Sequence, residues 1–111
     1  MARRLPSCRR PRHDVGVRAL LAAVRCEKGN VAANLASHLR LLDTAASAGC
    51  DIALFPEMSL TGSVDPATRP QRLMGLNDPA VAALVRASGQ TAVGICFGIA
   101  ERSPAGQPQI T

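Results

Sequence analysis

The chain has 111 residues, 47% of them apolar, which suits one packed domain and leaves no room for two. Its net charge of +5 raises the question of a nucleic-acid partner, but Arg3, Arg4, Arg9, Arg10 and Arg12 crowd into the first twelve residues and the remainder is close to neutral. Phe55 and Phe97, the only aromatics, are too few for a base-stacking platform.

The longest apolar run, Thr91 to Ala100, is about half the roughly 20 residues that a helix needs to cross a bilayer. The arginine-rich start carries neither the apolar segment nor the cleavage site of a secretory signal. The expectation is a soluble, cytoplasmic protein with no membrane and no nucleic-acid partner. Residues 1–14, interrupted by Pro6 and Pro11, read as a basic, solvated, disordered arm, and residues 15–111 as the folded part.

In chain order, the apolar run from Val15 to Val24 fits a buried strand, although its Ala and Leu content leaves a helix open. Glu27-Lys-Gly-Asn30 is a polar turn, and Asn30 suits a helix N-cap. Val31, Leu35, His38, Leu39, Leu42 and Ala46 then recur at the spacing of one helical face, with His38 at its edge as a packed residue. Gly49 stops that helix.

Asp51 to Phe55 has strand length and composition, and Pro56 ends it by removing a backbone donor. A Gly-, Ser-, Thr- and Pro-rich loop runs from Ser59 to about Pro70. Asp78 and Pro79 look like the N-cap and first residue of a second helix. Its narrow apolar face is Val81, Leu84, Val85 and Ser88, and Gly89 closes it. Thr91 to Ala100 reads as a third strand with Cys96 buried inside it. Glu101 and Arg102 end that strand with the makings of an ion pair. Ser103 to Gly106 is a turn, with no element after it to receive the chain.

Strand, helix, strand, helix, strand is the α/β pattern, with parallel strands joined by crossovers. In such sheets reactive groups gather at the carboxyl ends of strands. Two places qualify: the turn after the first strand, around Cys26, and Pro56-Glu57 after the second. Glu57 follows an apolar strand and a proline, so its carboxylate is fixed at the strand end. Partial burial there would raise its proton affinity, as suits a general base.

The four cysteines, Cys8, Cys26, Cys50 and Cys96, are widely spaced and no histidine lies at ligand spacing, so neither a metal site nor a disulfide framework is indicated. No cofactor is expected.

Phe55-Pro-Glu-Met-Ser-Leu-Thr-Gly62, entered through Ala-Gly-Cys-Asp, closely resembles the first catalytic block of the nitrilase superfamily of carbon–nitrogen hydrolases. The resemblance begins near Val15. It takes in the Glu-Lys-Gly-Asn turn, Asn34 and the stretch Gly98 to Arg102. It implies the N-terminal part of an α-β-β-α sandwich, truncated, with a Glu–Lys–Cys triad acting on a small nitrile or amide, and a homo-oligomer at full length.

By resemblance Glu57 is the catalytic glutamate, while the lysine and cysteine belong to blocks beyond Thr111. Lys28 and Cys26 are the tempting substitutes on the carboxyl edge, but nothing in the family pattern gives them that role. Two departures concern the substrate pocket: Ser63 stands where an aromatic is usual, and Ala23 near where a glutamine is usual. The alternative reading is an inactive truncated or frameshifted product serving at most as an interaction fragment.

Overall fold

A computed structural model describes residues 16–103, 105 and 107–111, so the basic arm read over residues 1–14 lies outside the described residues. Three short strands, β1 (Ala19–Leu21), β2 (Ile52–Leu54) and β3 (Gly94–Cys96), form a parallel sheet in the order β1-β2-β3. Helix α1 (Val31–Ser47) connects the first pair and α2 (Pro79–Thr91) the second, with a 3-10 turn at Pro70–Arg72 between β2 and α2. The chain is therefore α/β, as the alternation of its elements predicts.

The register explains the layering. Leu20, Ala53 and Ile95 stand side by side across the three strands and face the helices. Side chains alternate along a strand, so the flanking rows, Ala19–Ile52–Gly94 and Leu21–Leu54–Cys96, face the other way. Both helices pack on the first face and against one another. Cys96, expected as buried filler, is exposed because it belongs to an outward row. The first strand is likewise shorter than its apolar run, since only Ala19–Leu21 has a partner in β2.

The capping residues act as their chemistry dictates. The Asn30 side chain accepts from the Ala33 amide, and Gly49, at φ 72°, turns the chain out of α1. Asp78 accepts from the Ala80 amide with Pro79 in the first turn of α2. Gly89, expected to close α2, instead lies within it, on a side with open space around it. The helix runs to Thr91, and Ala92 takes the left-handed conformation at φ 56°. Ser88 Oγ donates to the Val93 carbonyl, so the exit is set where Val93 dives into the core. Val85 is exposed; Ala80, Val81 and Leu84 make the buried face.

The third apolar run does not remain one strand. The Phe55 amide bonds the Cys96 carbonyl at the end of β3, and the chain then passes beneath the 56–62 turn. It resumes as β4 (Ala100–Arg102), which pairs antiparallel with β5 (Pro108–Ile110) on one side and with Met74 on the other. The chain after Ser103 is thus received as a hairpin, contrary to the expectation. Glu101 and Arg102 form no ion pair. Glu101 accepts from Thr111 and Gln109, which hold its carboxyl below the usual range, while Arg102 donates to the Pro70 carbonyl.

Candidate active site

Glu57 lies in the turn directly after β2, the central strand, at its carboxyl end. Pro56 and Glu57 are both exposed, so the partly buried carboxylate expected from the sequence is not present in this chain. The reason is local. Met58 adopts φ 52° and reverses the chain, which sends Ser59, Leu60 and Thr61 inward and leaves Pro56 and Glu57 outside. Backbone bonds from Ser59 to the Pro56 carbonyl and from Gly62 to the Met58 carbonyl close the turn.

Three tethers hold that turn. The Leu60 amide bonds the Gly98 carbonyl at 2.9 Å. Ser59 Oγ accepts from the Gly98 amide at 3.2 Å, and Thr61 Oγ1 accepts from the Ala100 amide at 3.0 Å. Two hydroxyls thus complete a ladder that backbone pairing alone would leave open. Composition places residues 59 and 61 in the Gly-, Ser-, Thr- and Pro-rich loop, yet both are fully buried. Hydroxyls at alternate positions beside an apolar Leu60 are the signal that composition hides.

The other carboxyl-edge location joins the same site. Asn34, buried in α1, donates to the carbonyls of Glu27 and Leu60 and accepts from the Glu27 amide. The Gly29 amide bonds the Thr61 carbonyl, and a β-carbon at Gly62 would come within 2.8 Å of the Lys28 Cα. The 27–30 turn and the 57–62 turn are therefore packed backbone to backbone.

Their side chains are not joined. Lys28 is exposed, and among the described residues no hydrogen bond or ion pair links it, Cys26 or Glu57. The Cys26 thiol, half-buried, is pushed up by desolvation, the opposite of what an activated nucleophile needs. Cys50 is buried before β2, at the opposite edge. Among the described residues no cluster of His, Cys, Asp and Glu would hold a metal ion.

His38 is central to the site, not at the edge of the helical face. It is fully buried; its ring stacks on Phe55 at 4.1 Å between centroids and meets Phe97 edge-on. Nδ1 faces the Asn34 carbonyl, which only accepts, so Nδ1 carries the hydrogen. Nε2 then accepts from Ser59 Oγ at 2.8 Å. Desolvation lowers the imidazole's proton affinity, and the ring is held neutral. Every buried side-chain nitrogen and oxygen among the described residues has a partner.

Two recesses flank the turn. An apolar cleft of about 280 Å³ opens beside Met58, lined by Val64, Leu73, Ala100, Pro108 and Ile110 among others. Ser63 lines a second, charged recess with Lys28, Arg69 and Arg72. A parallel sheet with a clamped Pro-Glu turn at the carboxyl end of its central strand defines the class as α/β. The chain matches the carbon–nitrogen hydrolase family over residues 20–110 and belongs to it. No curated protein and no solved structure gives a significant match. No helix among the described residues is long and apolar enough to cross a membrane.

Proposed function

We propose that this segment supplies the general base, Glu57, to the hydrolysis of a non-peptide carbon–nitrogen bond in a small nitrile or amide. The observation that carries the reading is Glu57's position. It follows the central strand of a family-matched fold, on a turn clamped from both β4's approach and α1. In the Glu–Lys–Cys scheme that family membership implies, the carboxylate takes the thiol proton as sulfur attacks the substrate carbon. For an amide it then returns that proton to the departing nitrogen, and water cleaves the thioester to the acid and the free thiol. For a nitrile the proton goes to the thioimidate nitrogen, and water adds before ammonia leaves. The lysine stabilises the negative charge that develops on the tetrahedral species. Glu57 is exposed in this segment, so the burial that would suit a general base has to come from the groups that complete the site.

The cysteine and lysine are not assigned to Cys26 and Lys28, whose environments argue against it. Neither cofactor nor nucleic acid nor membrane enters the scheme, and assembly into a homo-oligomer would follow the family. The bare outer face of the sheet is where a second sheet of an α-β-β-α sandwich would pack. The same bare face, with Leu21 exposed, favours a second reading of the 111-residue chain by itself: inactive, and acting at most through contacts. The test is a graft. Residues 20–110 replace the matching segment of an active carbon–nitrogen hydrolase, and ammonia release is followed. Turnover supports the first reading; a folded but inert graft rejects it.

A further inference from the structure

The chain's one described histidine touches the residues placed symmetrically about Glu57. Its ring stacks on Phe55, two residues before, and its Nε2 accepts from Ser59, two residues after. Ser59 in turn accepts from the Gly98 amide. Gly98 lies against the Glu57–Met58 peptide so closely that a β-carbon there would fall 3.1 Å from the Glu57 carbonyl carbon. The hydrogens run one way along this chain: Gly98 N–H to Ser59 Oγ, Ser59 O–H to His38 Nε2, His38 Nδ1–H to the Asn34 carbonyl.

We propose that His38 is a positioning residue for Glu57, fixing the carboxylate-bearing turn through Phe55 on one side and the Ser59–Gly98 bond on the other. This rests on the reading of Glu57 as the base, but the device is separable from it. A histidine kept only to fill space would be equalled by phenylalanine, which has a similar ring footprint and stacks on Phe55. A positioning histidine needs the Nε2 acceptor, which the side-chain oxygen of glutamine approximates. Ser59 needs its hydroxyl, which threonine keeps.

The test is amide hydrogen exchange in the full 111-residue chain, read at Gly98 and across Ser59 to Gly62. His38→Phe and Ser59→Ala should speed exchange there about fivefold to tenfold, the loss of one buried hydrogen bond. His38→Gln and Ser59→Thr should stay near the parent, and helix α2 should be unchanged in all four. Exchange unaltered by His38→Phe and Ser59→Ala would overturn the proposal. So would exchange raised evenly through both helices, which marks a packing role. Because the readout needs no turnover, its failure is distinct from failure of the Glu57 assignment.

Discussion

The backbone of Gly98 rests against the Glu57–Met58 peptide with no room between them for a methyl group. A residue on the approach to β4 thereby sets the height of the proposed catalytic carboxylate above the sheet. Gly98→Ala should force the 56–62 turn outward and cost about 2–3 kcal/mol, the scale of overpacking a tight contact. A urea titration giving an unchanged midpoint would show that the turn yields freely.

Asn34 makes three hydrogen bonds that bind α1 to both carboxyl-edge turns. Asn34→Ala leaves the Glu27 amide and the Glu27 and Leu60 carbonyls without that partner. The expected loss is about 2–3 kcal/mol, because a buried polar group stripped of its bond keeps its desolvation cost. Scanning calorimetry of the variant beside the parent at pH 7.5 should show a clearly lower melting temperature. An unchanged melt would mean that water takes over all three bonds at no cost.

How much of this is legible in the sequence divides along a physical line. Asn30, Gly49, Asp78 and Pro79 declare themselves as caps because capping depends on a few neighbouring residues. Gly89 misleads, since a glycine with open space around it is tolerated inside a helix, and the true exit is set by Val93 entering the core. The break between β3 and β4 is invisible because Phe97, Gly98 and Ile99 look like strand; only the distant turn they receive explains it. Glu57 is legible by motif and its exposure is not. The roles of His38 and Ser59 stay hidden because each is polar at a position where pattern alone suggests either packing or loop.

Acid should loosen the fold through His38. Its folded-state affinity for protons is lowered by burial, so the unfolded chain binds a proton more readily. The stability due to the neutral ring is full above about pH 6.5, the ordinary histidine value, and is lost as pH falls from there through the lowered folded value. Glu101, held low by Thr111 and Gln109, gives way only in a lower window, which begins at the usual glutamate range and runs down through its lowered folded value. Melting temperatures taken from pH 7.5 to 5 should fall in the parent and flatten in His38→Gln. A parallel fall in both would locate the acid sensitivity elsewhere.

The outer sheet face predicts self-association of the 111-residue chain. Leu21 is 75% exposed and Val17 77%, beside the outward row of Leu54 and Cys96, and β1 is an edge strand among the described residues. Sedimentation should show concentration-dependent assembly with binding of hydrophobic dyes, and Leu21→Lys should shift the distribution toward monomer. A monodisperse monomer with a cooperative melt would contradict this.

The most direct measurement of the central claim is the ammonia release rate of Glu57→Gln within the grafted hydrolase that carries residues 20–110. Glutamine keeps the shape and exposure of the side chain and removes its basicity. Turnover should therefore fall by at least about a hundredfold while the melting temperature stays within a degree or two of the parent graft. Near-normal turnover in the variant would mean that Glu57 is not the base.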